Sequence, residues 1–600
     1  MGERRLFRSI SRLHVRDLSR PESARGLRAA FDRAVAVVLR VMALLAVIAL
    51  VLEHGFVLEP EERDAVRHLL EVVLVTFVGL GILRLLTRDD RRAFLRSHRV
   101  DAAVWVVVLL GLFGRRAGVA SPVVLFGLSP DDLAGAWLFA TQAFIVLSLV
   151  LGGLRDSRRL LGRAVQPQLV ILASFVILTV AGTGLLLLPR ATPGPGLSLV
   201  DALFTAASAS SITGLVVVDT GTAFTPVGHA VLLALIQAGG LGIMTLTTFF
   251  AFAFTGGSLR QYASLQSLVG EQSLGRARST LARIAVVTFA IEAAGAAVLY
   301  RHLPDSAVTG AGRLFSAVFH SVSAFCNAGF VLYDSTAAPP GFAGNVPVQA
   351  TVAVLVVAGG LGFPVLAALG GFLSRRRRRP GLHVKVVLSV SAFLLALGTA
   401  ALLVLEPAGG ALGATRGERF LAAFFHSVSA RSGGFSTIDL AGLTPAALFV
   451  LLVLMWIGGA PASTAGGVKT TTVAVAFLTV LSIAGGKERV ELFRRQIGEG
   501  SIQRAFATVV VSVFVLAASV LALLALEARP PLDLAFEAAS ALSTVGLSTG
   551  ITASLGTPAK VLLSVLMIAG RVGLLGCVLA ATPRRGDARH EYAREDVLVT

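Results

Sequence analysis

The chain has 600 residues, of which 55% are hydrophobic and only 15% charged. Ordinary soluble domains carry about a quarter charged residues and disordered chains have low apolar content, so both classes give way to a polytopic membrane protein. The 53 Lys and Arg against 35 Asp and Glu leave a net charge of +18, which reads as nucleic-acid binding or as membrane orientation according to where the charges fall. Two cysteines, Cys326 and Cys577, exclude a disulfide scaffold and a Cys-based zinc site.

Residues 1–33 carry nine Arg and no long apolar run, so no cleavable signal is expected and the N-terminus stays cytoplasmic. A bilayer-spanning helix needs about 20 apolar residues. Four candidates follow, near 34–52, 69–87, 101–114 and 135–153. The loop 53–67 between the first two is acidic, with Glu53, Glu59, Glu61, Glu62 and Asp64. The next loop is basic, with Arg88, Arg91, Arg92, Arg96 and Arg99, and so is the one holding Arg155, Arg158, Arg159 and Arg163. This alternation follows the positive-inside rule.

From 166 onward, long spans alternate with shorter semi-apolar segments. The spans lie near 168–189, 226–252, 281–300, 346–372, 384–405, 444–482, 504–526 and 557–580. The basic clusters Arg375 to Arg379, Lys487 to Arg495, and Arg584 with Arg585 fall on the N-terminal side, which puts both termini inside. The expected organisation is all-α: a basic arm (1–33), a four-helix transmembrane bundle (34–165), and repeats at 166–252, 253–372, 373–483 and 484–600, the last with the C-terminal tail. The bundle reads as a packing or assembly unit rather than a voltage sensor. A sensor needs Arg at every third position of its fourth span, and 135–154 has none.

The short segments form an internal repeat: FTAASASSITGL at 204–215, FHSVSAFCNAGF at 319–330, FHSVSARSGGF at 425–435 and FEAASALSTVGL at 536–547. Each opens on Phe, places Ser and Ala four and five residues later, and closes on Gly: Gly214, Gly329, Gly434 and Gly546. Each copy is thus span, half-length helix, extended Gly segment, span. Non-helical backbone at membrane depth must line water or be buried in protein, because lipid cannot hydrogen-bond it. Four such stretches meeting at an axis with inward carbonyls replace a cation's hydration shell, with the half-helix C-termini aimed at the ion. The alternative is small-residue packing between helices.

These residues resemble the Trk/Ktr/HKT superfamily of potassium transporters, over roughly 166–600. The matching stretches are QAGGLGIMTLTTF (237–249), FHSVSAFCNAGF, VAGGLGFPV (357–365), SARSGGFSTID (429–439), GGAPASTAGGVKTTT (458–472) and STVGLSTGIT (543–552). The resemblance implies an ion filter made of Ile212, Thr213 and Gly214; Asn327, Ala328 and Gly329; Ser432, Gly433 and Gly434; and Thr544, Val545 and Gly546. Four glycines resemble the potassium-selective members, with looser selectivity than a filter of four TVGYG strands. The break at 458–467 implies an intramembrane gating loop, with Gly458, Gly459, Ser463, Thr464, Gly466, Gly467, Lys469 and, from the last span, Arg571; a simple kink is the alternative. It is not a phosphate-binding GxxxxGK[ST] loop, since Val468 precedes Lys469. Arg571 inside a span is costly and reads as functional, as a cation barrier or a holder of the loop, against snorkelling or a structural ion pair. Glu292 reads as a hydrogen-bonded structural carboxylate ahead of an ion site. Asp201 and Asp219 flank the first filter segment, either to concentrate cations or as solvated loop acids.

The implied function is potassium uptake across the plasma membrane, with sodium permeation or coupling the alternative and a non-transporting receptor the alternative of another class. No catalytic constellation is visible, so no enzyme is expected, no bound cofactor and no nucleic-acid partner. The resemblance implies a homodimer, a cytosolic nucleotide-binding regulatory ring and contact with membrane lipid; the basic cytosolic loops suit either docking or anionic lipid.

Overall fold

In a computed structural model, the described residues are scattered positions between 34 and 56, then 59–87, 167–253 without 195, 277–305, 312–333, 344–373, 380–487 and 489–581. The chain divides into two compact units, 1–160 and 161–600.

In the first unit, the described positions from 34 to 53 are helical apart from gaps, and helix α1 runs Pro60–Leu86. The expected acidic loop 53–67 is therefore shorter. Glu59 and Glu62 form a reciprocal capping box and Pro60 takes the first helical position, so Glu61 and Glu62 sit on the positive end of the helix dipole. The expected spans 101–114 and 135–153 lie outside the described residues.

In the second unit, one pattern recurs four times: a long helix, a short helix, a non-helical strand and a second long helix. The first copy is α2 (Pro167–Leu186), α3 (Leu199–Ser210) and α4 (Pro226–Ala253). The second is α5 (Ala277–His302), α6 (Arg313–Phe325), and α7 (Val346–Leu361) with α8 (Phe363–Leu373). The third is α9 (Leu382–Leu405), α10 (Arg416–Ser429), and α11 (Pro445–Trp456) with α12 (Thr470–Ala484). A small hairpin, β1 (Glu491–Leu492) and β2 (Arg495–Gln496), leads to the fourth: α13 (Glu499–Leu526), α14 (Pro531–Leu542), and α15 (Thr557–Val572) with α16 (Leu574–Ala581).

Local chemistry sets these limits. The side chain of Ser198 caps α3 through the Asp201 amide, Thr415 and Glu418 form a capping box on α10, and Thr444 caps α11 through the Ala447 amide. The short helices have 12, 13, 14 and 12 residues. At 1.5 Å per residue they reach about 20 Å, well short of a hydrocarbon core of about 30 Å.

Two expected single spans prove to be broken. The helix pair α7–α8 bends by 103° at Gly362, and α15 stops at Gly573. Both glycines take positive φ, +82° and +94°, which ends a helix because an L side chain is disfavoured there. Among the described residues, three unbroken helices are long and apolar enough to cross a membrane, Arg283–His302, Leu382–Leu405 and Glu499–Leu526, and a fourth if the bent pair counts as one.

The C-terminal halves of the short helices are buried, and most of the exposed apolar surface is on the long helices. Phe204, Phe319 and Phe536 are fully buried, whereas Val404 is 82% and Phe514 72% exposed. Exposed large apolar side chains on long helices are what a lipid solvent requires. The opening Phe of each short helix packs into the core of the copy before it. Phe319 joins the cluster of α2, α3 and α4, Phe425 that of α5, α6 and α7, and Phe536 that of α9, α10 and α11. Phe204 joins the cluster of α13, α14 and α15, so the first copy closes on the fourth.

Candidate functional site

The four Gly-centred strands, far apart in sequence, meet. A Cβ placed on Gly214 would stand 3.1 Å from the Cα of Gly329, and one on Gly329 2.9 Å from that of Gly434. One on Gly434 would stand 3.4 Å from the Cα of Gly546, and one on Gly546 3.0 Å from that of Gly214. The four glycines therefore form a closed ring with no room for a side chain.

Their backbones share a conformation that the side chains do not announce. Gly214, Gly329, Gly434 and Gly546 have φ of +91°, +69°, +75° and +94°. Two residues earlier, Ile212, Asn327, Ser432 and Thr544 have φ of +52°, +59°, +76° and +48°. Left-handed backbone is costly for such residues, above all the β-branched Ile212 and Thr544. Surrounding bonds hold it. The amides of Thr213, Ala328, Gly433 and Val545 donate to the carbonyls of Ser208, Ser323, Ser429 and Ser540 at 2.6–2.9 Å. These are the Ser residues of the repeat. Their hydroxyls act too: Ser208 and Ser540 accept from Gly214 and Gly546 N–H at 3.0 Å, while Ser323 and Ser429 donate to the carbonyls of Phe330 and Phe435. With the middle amides turned to the short helices, the carbonyls of Thr213, Ala328, Gly433 and Val545 accept no hydrogen bond from the described residues.

The segment 457–469 separates α11 from α12 and lies against this ring. The Ser432 hydroxyl accepts from Gly466 N–H at 3.0 Å and reaches the Thr544 carbonyl at 3.2 Å, so one side chain joins two strands to the segment. The Thr464 hydroxyl donates to the carbonyl of Phe325 at the end of α6. A Cβ on Gly466 would strike Thr544 Oγ1, and one on Gly458 would strike the Gly466 carbonyl. Ala460 N–H donates to Gly360 and Phe363 N–H to Ala462, seating the segment on the α7–α8 bend. Ser463 bonds within the segment, to the Ala460 carbonyl. Lys469 reaches back to the Ala465 carbonyl at 2.6 Å, and Gly467 supplies a positive φ of +68° beside it.

Arg571 is buried in the last turn of α15. Its guanidinium donates to the Thr464 carbonyl and, at 2.9 Å, to the Gly239 carbonyl of α4. It thus ties the segment to the first copy through carbonyls rather than a carboxylate. Laying the second long helices side by side, AGGLG (238–242), AGGLG (358–362), IGGAP (457–461) and AGRVG (569–573), puts Arg571 where the others have Gly240, Gly360 and Gly459. That alignment was available in the sequence. The first glycine of the pair packs on the end of a short helix in three copies: Gly239 on Ser210, Gly359 on Phe325, Gly570 on Leu542. In the third copy Gly458 packs on the 457–469 segment instead.

The remaining acids sit apart from the ring. Glu292 accepts from Gln237 at 3.3 and 3.4 Å and from the Cys326 thiol at 3.7 Å, the structural arrangement expected of it. Asp201 pairs with Lys560 at 2.8 Å, and Asp219 accepts from the amide and hydroxyl of Thr222. Asp201 is therefore charge-compensated rather than left to attract cations.

The family model "TrkH: Cation transport protein" matches residues 139–586. Over 70% of this chain and 92% of its own length, the Ktr system potassium uptake protein B of Vibrio alginolyticus is 38% identical. The protein of the same name from Bacillus subtilis is 35% identical over 69% and 92%. The potassium/sodium uptake protein NtpJ of Enterococcus hirae is 34% identical over 73% and 98%. The crystal structure of the potassium transporter TrkH from Vibrio parahaemolyticus shares the fold, with a TM-score of 0.58 over 90% of this chain and 98% of that one at 16% identity. The chain belongs to the Trk/Ktr family of membrane cation transport proteins and is KtrB-like.

Proposed function

We propose that this protein takes up potassium across the plasma membrane, down the ion's electrochemical gradient, through a path lined by the carbonyls of its four Gly-centred strands. The observation that carries this is the closed ring of Gly214, Gly329, Gly434 and Gly546, whose flanking amides are engaged by the short helices. Such carbonyls have only a cation or water to serve. The filter comprises Ile212 to Gly214, Asn327 to Gly329, Ser432 to Gly434 and Thr544 to Gly546. A negative interior contributes roughly 2.3 kcal/mol per charge per 100 mV.

The segment holding Gly458, Gly459, Ser463, Thr464, Gly466, Gly467 and Lys469 is the gate, and Arg571 its latch. Its contacts to Ser432 and Phe325 support this reading. The repeats are assigned to 166–252, 253–372, 373–483 and 484–600, around one pore, with both termini cytoplasmic. The names of the Ktr relatives speak of a system. That word supports a separate partner, which in this reading is a cytosolic nucleotide-binding regulatory subunit; a homodimer in contact with membrane lipid completes the reading. The preceding bundle, 34–165, serves packing or assembly.

The test is initial flux of potassium and sodium into liposomes holding the purified protein, with rescue of a potassium-uptake-deficient cell alongside. Potassium flux exceeds sodium flux in the wild type. A side chain in Gly214→Ser meets the Ala328 carbonyl, and the potassium-to-sodium ratio falls about ten-fold, or about 1.4 kcal/mol. Equal fluxes in the wild type favour the sodium-permeable reading, which the name of the Enterococcus relative suits. No flux and no rescue favour a receptor.

A further inference from the structure

The residue after the opening Phe of each repeat is Thr205, His320, His426 or Glu537. All four are buried, and their chemistries differ, yet three make the same bond. Leu332 N–H donates to His320 Nε2 at 3.2 Å. Thr437 N–H donates to His426 Nε2 at 3.4 Å. Thr549 N–H donates to Glu537 Oε1 at 3.2 Å. Leu332, Thr437 and Thr549 each stand three residues beyond a ring glycine.

The two imidazoles are fixed by a second contact. Nδ1 of His320 lies 2.7 Å from the Ser316 carbonyl, and Nδ1 of His426 lies 2.8 Å from that of Ala422. A carbonyl only accepts, so Nδ1 carries the proton and Nε2 is left as acceptor for the strand amide, with the Ser436 hydroxyl also 3.0 Å from Nε2 of His426. Glu537 holds its strand more fully, also accepting from the hydroxyls of Ser548 and Thr552 at 2.5 and 2.8 Å. The first copy differs. The Thr205 hydroxyl turns back to the Asp201 carbonyl at 2.8 Å, and no bond joins it to Val217, the residue three beyond Gly214, among the described residues.

We propose that His320, His426 and Glu537 are positioning residues that pin the outer rim of the filter and thereby set ion selectivity without touching the ion, leaving the first strand as the unpinned one. This rests on the filter reading above. A buried amide without an acceptor costs more than the bond itself is worth, so loss of a pin turns the peptide and moves the carbonyls next to it.

The test compares side chains of similar length that differ in acceptor strength. Potassium-to-sodium flux ratios are measured in liposomes for Glu537→Met, Glu537→Gln, His426→Met and His426→Gln, with Thr205→Val and Gly214→Ser alongside. Both Met variants lower the ratio about five-fold, the worth of one ordinary hydrogen bond; the Gln variants stay within about two-fold of the wild type, and Thr205→Val is unchanged. Met variants that fold and keep the wild-type ratio overturn the pins while Gly214→Ser leaves the filter standing. If Gly214→Ser also keeps the ratio, both readings fall. Hydrogen exchange on the unmutated protein decides without any variant. Amides of Leu332, Thr437 and Thr549 exchange more slowly than that of Val217, and equal rates overturn the proposal.

Discussion

At the residue scale, Ser432 concentrates more of the site than any motif letter suggests. It holds left-handed backbone, reaches the Thr544 carbonyl and receives the Gly466 amide. Ser432→Ala leaves a buried amide without its acceptor, at a cost of about 1–3 kcal/mol. On the proposed gating role of the 457–469 segment, the expected result is a higher basal potassium flux from liposomes lacking any regulatory partner, because that segment loses its bond to the Gly-centred strand. The closing glycines were legible because Gly recurs in all four copies at a near-constant distance from the shared Phe, Ser and Ala. The conformation two residues earlier was not, since Ile, Asn, Ser and Thr share no side-chain signal for positive φ. Asn327 alone is a residue type enriched there, and its amide nitrogen suits the carbonyls of Ala324, Phe325 and Val356 at 3.1–3.3 Å.

At the element scale, the break between α11 and α12 could be read from GGAPASTAGG, because Pro and paired Gly do not sustain a helix. The breaks at Gly362 and Gly573 could not. AGGLG stands before the bend at Gly362 but also lies inside the unbroken α4, so the local pattern does not announce a break. Gly362 also touches the 457–469 segment, since a Cβ there would stand 2.9 Å from the Pro461 carbonyl. Gly362→Ala therefore meets both left-handed backbone and that contact, costing about 1–2 kcal/mol from the backbone alone. Thermal melting in detergent should show a fall of a few degrees, whereas Gly370→Ala, with open space at its Cβ position, should show none.

At the scale of the molecule, the ring is closed by contacts between the first and fourth copies. Phe204 does this in the core and Asp201 with Lys560 at the outer mouth. Burial opposes ionisation of Asp201, but its hydrogen bonds to Lys560 and Ser198 and the Lys560 charge outweigh that, leaving its carboxyl below the ordinary value of 3.8. A carboxyl lowered on folding adds stability above its unfolded pKa, and that contribution is lost as pH falls through the folded value. Asp201→Asn should thus melt below the wild type at neutral pH, by about 1 kcal/mol or less for so accessible a pair. The difference should vanish in acid below the wild-type carboxyl's pKa.

Sequence by itself determined the membrane class and the recurring Phe–Ser–Ala–Gly segments, because apolar run length and residue spacing are one-dimensional quantities. Only the tertiary structure decided what those letters touch. The opening Phe keys into the preceding copy, Arg571 meets Thr464 and Gly239, and in three copies the residue after Phe reaches the strand beyond the ring glycine. Each contact joins residues whose separation in the chain carries no information about their separation in space.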